Sequence, residues 1–288
     1  MVLSVSPTEP HPTGQARSWL SPAVVLKAMA YNDTSQIITL YTPDFGRIGA
    51  VVKGARSPKS KMAGVCLPLN YGQVQLFRGK TLHTLSQYQP LASFPNLRQN
   101  FEALSFGLFA AQLVDTLTTE HDHESATIFE TLVTCLRALD ERRLPAVVVS
   151  VVFQAQLLQA TGYWPNLTHC VATEALMVSD ANPTEIPTVE WVAFAPAWGG
   201  VVSAAAARSI PPTQTGQPGW VKVSIPTLQC LSQAQSLAAT DLVPRLIDES
   251  IWHKALKFLA YYVPTQVEGT HRAFKGLGQM GLLVGTAD

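Results

Sequence analysis

From Pro22 to about Leu91 the apolar positions fall into short runs separated by turn residues: VVLKAMAY (24–31), QIITLYT (36–42), RIGAVVKGA (47–55), GQVQLFR (72–78) and TLHTLSQY (81–88). Asn32-Asp33 closes the first run and Pro43-Asp44-Phe45-Gly46 the second. Arg78-Gly79-Lys80 suits a tight hairpin between the last two. Within QVQLF, Val74 and Leu76 point one way while Gln73 and Gln75 point the other, as in a sheet with one buried face. Five strands and one wide loop, GARSPKSKMAG (54–64), predict a small barrel.

At Asn96 the period becomes helical. Leu97, Phe101, Leu104, Leu108 and Ala111 recur at helical spacing, which predicts one core-facing stripe. ESATIFETLVTCLRALD (124–140) follows with Ile128, Leu132, Cys135 and Leu139 in register, then LPAVVVSVVFQAQLLQATG (144–162), apolar nearly all round and so buried, with Gly162 as its stop. Between Tyr163 and Trp220 the pattern breaks into Pro, Gly and short β-type runs such as TVEWVAF (188–194). Helices resume over roughly 227–239 and 244–262. The expectation is an α+β chain: a flexible tail over 1–21 with only Trp19 and Leu20 docking, a five-stranded barrel over 22–92, a helical domain over 93–265 carrying a small irregular insert at about 163–222, and a C-terminal tail over 266–288.

Composition adds a charge asymmetry. The formal charge of the 288 residues is zero, yet residues 45 to 101 hold eight Lys or Arg and no Asp or Glu, while the rest of the chain beyond them holds ten basic residues against 17 acids, about −7. A surface field is made by local excess and acts over about 8 Å at physiological salt, so the basic stretch points to a polyanion. Charged residues are 14% of the chain, well under the roughly 25% of an average globular protein, which leaves uncharged surface for a partner to cover. Cys66, Cys135, Cys170 and Cys230 contain no pair at two-residue separation and read as reduced, buried thiols of a cytoplasmic protein. Met1 to Leu20 has three prolines and no basic residue ahead of an apolar block, which reads as neither signal peptide nor anchor.

Three segments are specific enough to carry a resemblance. VVKGARSPKSKMAGVCLPLNYGQVQLFRGK (51–80) resembles the barrel signature of the RecO family of bacterial recombination mediators: a KGAR-type turn, a basic loop and a strand pair. LLQATGYWPNLTHC (157–170) is similar to that family's helix end leading into a first metal-ligand cysteine, and FAPAWGGVV (194–202) to the segment before its second cysteine pair. The resemblance spans about 22 to 265. It implies an N-terminal oligonucleotide-binding barrel, a helical domain, and binding of single- and double-stranded DNA. It also implies annealing of strands coated by single-strand-binding protein, with partners in that protein's acidic C-terminal tail and in RecR, and indirectly in RecA, on the bacterial nucleoid. Many family members hold zinc with two CxxC pairs. Here Cys170 is kept, while the positions that should complete the set read Thr173, Ser203 and Ala206, so no bound metal or other cofactor is expected. His169 cannot replace three thiolates. Apolar packing around Trp164, Trp191, Trp198 and Trp220, with Val192, Phe194, Val201 and Val202, is expected to hold the insert instead.

Lys53, Arg56, Lys59, Lys61, Arg78 and Lys80 are the candidate DNA contacts. Several of them sit on a glycine-flanked loop or a hairpin, able to follow a phosphate backbone without reading bases. About five neutralised single-strand phosphates predict that log affinity falls with log salt at a slope of roughly −3 to −4. Tyr31, Tyr41, Tyr71 and Phe77 are candidates for base stacking, which strand parity alone does not sort. His121-Asp122-His123-Glu124 reads as a polar turn rather than a metal site, and Asp248 and Glu249 near His253 as a solvated face. The chain contains no GxSxG, no GxxxxGK[ST] and no paired acidic nuclease motif, so no catalytic residue is assigned. Lys254 and Lys257, near Trp252 and Phe258 and followed by Arg272 and Lys275, are candidates for an acidic, phenylalanine-ended tail. The rival reading is a scaffold whose barrel and helices dock acidic protein tails without binding DNA.

Overall fold

Strand β1 (Ser18–Ala30) is long enough to serve two neighbours. Its first half pairs antiparallel with β4 (Tyr71–Phe77) and its second half with β2 (Gln36–Thr42); the register slips between Val25 and Lys27, where the strand turns the corner. Strand β3 (Gly46–Val52) is antiparallel to β2, and β5 (His83–Ala92) is antiparallel to β4. Ala50 and Val51 of β3 then meet His83 and Thr84 of β5 in parallel, so the order β1-β2-β3-β5-β4 closes into a barrel. This is the five-stranded oligonucleotide-binding arrangement expected from the sequence. Alternation fixes its interior: Ile38 and Leu40, Ile48, Ala50 and Val52, and Val74 and Leu76 are all buried and join Ala23, Val25 and Leu85 in one core.

The computed structural model describes residues 17–57, 60, 62–177, 191–212, 219–236 and 248–283. They divide into two compact units, one running up to Ser93 and including Thr119–Ala126, the other formed by Phe94–Thr118 and the residues from Thr127 onward. In the first unit, β1 starts earlier than the sequence suggested. Ser18 to Ser21, assigned to a tail, form a ladder with Val74 to Phe77. Trp19 packs on the barrel core as expected, but Leu20 is 63% exposed. The inward set Trp19, Ser21, Ala23, Val25 contains a small polar residue, which hides the strand period. Thr119–Ala126 straps onto the barrel: Arg47 N–H donates to Thr119 O (3.1 Å), His121 N–H to Phe45 O (2.9 Å) and Ser125 Oγ to Pro43 O (2.5 Å). Gly46, at φ +62°, is required beneath this strap, because a Cβ there would lie 2.8 Å from Thr119 O.

In the second unit, α1 (Pro95–Gln99) and α2 (Phe101–Leu117) are separated by Asn100, whose extended backbone (φ −107°, ψ 120°) and side chain cap α2 at Ala103 N. This break resets the helical phase. Phe101 and Leu108, expected on the core face, are 65% and 42% exposed, and Ala103, Phe106, Ala110, Leu113 and Val114 are buried in their place. Helix α3 (Ser125–Glu141) buries Ile128, Leu132, Cys135 and Leu139 as the period required. Helix α4 (Ala146–Ala160) is buried almost all round and packs against α2, α6 (Ile225–Ser236) and α7 (Glu249–Gln266). Its end is marked by Gly162 at φ +76°.

The insert is more regular than its composition suggested. It holds a three-stranded antiparallel sheet in the order β7-β6-β8, from β6 (Trp191–Ala195), β7 (Gly200–Val202) and β8 (Val221–Ser224), with a short helix α5 (Ala204–Ala207). Residues 266–283 are not a simple tail. Helix α8 (His271–Gln279) buries Ala273, Phe274 and Leu277, and Phe274 meets Phe109 of α2 edge-on at 5.0 Å between ring centroids. Its two glycines, Gly276 and Gly278, mask a helical apolar face in the sequence.

Candidate nucleic-acid interface

On β3 the buried Ile48, Ala50 and Val52 alternate with Arg47, Gly49 and Val51, which face outward, and Lys53 continues that outward series. Arg47 and Lys53 are six residues apart, about 20 Å along a strand. The β4–β5 loop ends beside β3, where Ala50 pairs with His83: a Cβ on Gly49 would fall 2.7 Å from Leu82 Cδ2. The loop carries Arg78 and Lys80, both exposed, and its tight path needs Gly79, where a Cβ would meet Leu82 O at 1.8 Å. Arg78 N–H donates to Arg17 O (2.9 Å) at the start of the barrel. At the other end Arg56 is held by the β1–β2 turn, its Nη1 donating to Asn32 O (2.6 Å) and its N–H to Thr34 O (2.9 Å). The candidate cations are thus two groups, Lys53 with Arg56 and Arg78 with Lys80, at the two loops that flank the outer β2–β3 face. None of these four makes an ion pair among the described residues. Lys59 and Lys61 lie outside the described residues.

The stacking candidates separate by exposure. Tyr41 is fully buried, and burial first, then the negative charge of Asp122, pushes its phenol up, so it offers no ring to a base. Tyr31 (57% exposed) stands beside the turn that holds Arg56, and Phe77 (45% exposed) precedes Arg78; Tyr71 is half-buried. Asp122 is occupied within the strap, accepting from Thr119 N (2.8 Å) and Thr119 Oγ1 (2.6 Å), which makes the His121–Glu124 stretch a polar turn. Behind the face, Trp19 lies 5.2 Å from Phe45 and 4.9 Å from His83 between ring centroids. Burial holds the His83 imidazole below its ordinary 6.5, Arg78 and His121 push the same way, and Glu120 opposes them. The unfolded chain therefore takes up this proton more readily than the folded one, so the contribution of neutral His83 to barrel stability is full well above pH 6.5 and declines as pH falls through and below it. Urea melts of His83→Gln are expected to show a shallower acid decline than the parent; an unchanged decline would assign it to other groups.

Comparison with known proteins fits this architecture. The family description "Recombination protein O N terminal" matches residues 17–94, and "Recombination protein O C terminal" matches residues 98–179. The chain belongs to the RecO family. Among curated relatives, the DNA repair protein RecO of Heliobacterium modesticaldum is 33% identical over 65% of this chain and 64% of its own length. That of Synechocystis is 27% identical over 90% of this chain and 95% of its own. That of Symbiobacterium thermophilum is 30% identical over 62% and 67%. The match thus takes in just under two thirds of the Heliobacterium protein. Each of these three relatives bears the name DNA repair protein RecO.

In this RecO chain the four positions of the zinc set are brought together. Ser203 N–H donates to Cys170 Sγ (3.2 Å), Thr173 N–H to Cys170 O (3.3 Å), and Ser203 Oγ accepts from Ala206 N–H (3.2 Å). Burial works against a thiolate at Cys170, but donors from the Thr173 side chain and from the Ser203, Ala172 and Thr173 backbone outweigh it and bring the thiol down to about 7. Zinc takes about four N or S ligands, and one thiol, two hydroxyls and a methyl do not supply them. No group of three or more His, Cys, Asp or Glu able to hold a metal occurs among the described residues. Of the expected apolar core, Val192, Phe194, Val201 and Val202 are buried, but its centre is not made of tryptophan. Cys170, Ala193, Ala195, Val202 and Ala207 form it, with Val171, Met177 and Trp220 against them, while Trp191 and Trp198 are 41% and 42% exposed. Close approach in a knuckle favours alanine over indole: a Cβ on Gly200 would already lie 2.7 Å from Asn166 O.

On α7, Asp248 caps the helix by accepting from Ser250 N (3.0 Å), and His253 Nδ1 lies 2.9 Å from Glu249 O, so both serve the first turn. Lys254 and Lys257 line a cavity of about 440 Å³ with Phe258 and Tyr261. Arg272 and Lys275, on α8, do not line it. Lys222 of β8 does, and sequence reasoning passed over it, although the alternation in Val221-Lys222-Val223 marks it as a strand position.

Proposed function

We propose that this chain is a non-catalytic DNA-binding recombination mediator that anneals complementary strands. The observation that carries the reading is the placement of Lys53, Arg56, Arg78 and Lys80 at the loops flanking the outer β2–β3 face, none of them neutralised by an ion pair among the described residues. Lys59 and Lys61, in the same basic loop of the sequence, lie outside the described residues and are kept as candidate DNA contacts on the sequence alone. Two strands brought to such a face have their mutual repulsion lowered, so bases can pair without nucleotide hydrolysis. Tyr31 and Phe77 add stacking that tolerates any sequence. Lys254 and Lys257 are assigned to the acidic C-terminal tail of single-strand-binding protein, and the helical unit to RecR, which together help load RecA on coated single strands.

Strand annealing by the full chain, with and without cognate single-strand-binding protein, tests this. Acceleration of both reactions that weakens as salt rises is expected. Tail-peptide binding with no affinity for plain oligonucleotides would instead identify a protein scaffold.

A further inference from the structure

The cavity beside α7 has one wall made of Val221, Lys222, Val223 and Ser224, four consecutive residues of β8. Side chains alternate across a sheet, so four in succession can line a cavity only if it runs along the strand's edge. In the order β7-β6-β8, β8 is the outer strand among the described residues. The opposite wall is Lys254, Lys257, Phe258 and Tyr261, at helical spacing on a single face of α7. Apolar Val221, Val223, Phe258 and Tyr261 thus sit between Lys222, Lys254 and Lys257, and no Asp or Glu lines the groove among the described residues. That is notable in a part of the chain where acids outnumber bases, 17 to ten. Lys222 Nζ rests 4.3 Å from the centre of the Trp191 ring, which also lines the cavity, and Trp191 in turn lies parallel to Trp220 at 6.3 Å.

We infer that this groove binds an extended acidic peptide as an added strand on β8, with Lys222 as a specificity residue alongside Lys254. The inference deepens the tail-docking reading and rests on it. An outer strand offers main-chain donors and acceptors in register, the apolar walls receive one side chain of the peptide, and the lysines meet the carboxylates of its neighbours. A nucleic acid would be drawn by the same charge but has no use for a strand edge.

The test uses the full chain and a synthetic acidic peptide ending in phenylalanine, followed by Trp191 fluorescence and amide hydrogen exchange. Strand addition predicts that every second amide of Val221–Ser224 gains protection. It also predicts that Lys222→Glu with Lys254→Glu weakens binding roughly thirtyfold without changing the melting temperature, and that N-methylation of alternate peptide amides abolishes binding. A peptide that binds equally well when N-methylated, with β8 unprotected, would overturn strand addition while leaving tail docking intact. No peptide binding at all would overturn both. An oligonucleotide that protects the same amides would replace the peptide by nucleic acid and overturn the inference.

Discussion

Replacing Lys53, Arg78 and Lys80 together by alanine should lower affinity for a plain single-stranded oligonucleotide by roughly a hundredfold at low salt, if each phosphate contact contributes about 1 kcal/mol. The side chains are exposed and none supports a neighbour through an ion pair, so the barrel's melting temperature should stay unchanged. Arg56 is left out of the set for a physical reason: its guanidinium holds the β1–β2 turn at Asn32 O, and removing it would change both charge and shape. Arg272→Ala with Lys275→Ala, on exposed positions of α8, removes two charges elsewhere and should leave binding within about twofold. Equal losses in both variants would mean that net charge alone, rather than the β2–β3 face, governs binding.

A second large effect is expected in the insert. Thr173→Cys, Ser203→Cys and Ala206→Cys in one chain should create a site that takes up one zinc ion, because Cys170 Sγ already accepts from Ser203 N–H and Ser203 Oγ already meets Ala206 N–H. Zinc bound by four thiolates in small domains contributes about 10–16 kcal/mol of apparent binding free energy, so the variant's melting temperature should rise with added zinc and fall back with a chelator. The parent should show neither response in elemental analysis or melting. A triple variant that folds yet binds no zinc would mean that the two turns do not face one another as described. Stoichiometric zinc in the parent would contradict apolar packing as the element that holds the insert.

The sequence disclosed the barrel because five strands with one buried face each leave an alternating trace, and Val74 and Leu76 stand in the core as that trace requires. It disclosed α3 for the same reason at a helical period, and α4 as an apolar run too long for a strand. It misplaced the core face of α2, since the break at Asn100 shifts the phase between Leu97 and the residues that follow, and spacing carries no sign of a backbone turn. It missed the first strand residues and α8 where Ser21 or two glycines interrupt an apolar face. The site was legible as residue types and not as geometry. The lysines and arginines are visible as an acid-free run, yet only the pairing of β5 with β3 brings the β4–β5 loop beside that face, and only the pairing of β8 at the sheet's rim puts Lys222 opposite Lys254. Burial sorted the aromatics, excluding Tyr41 and leaving Tyr31 and Phe77 accessible.

The most direct measurement is the affinity of the full chain for a plain single-stranded oligonucleotide across a range of salt concentrations. About five neutralised phosphates predict a straight line of log affinity against log salt with a slope of roughly −3 to −4. A slope near zero, or no binding at low salt, would contradict the assignment of the basic barrel to DNA.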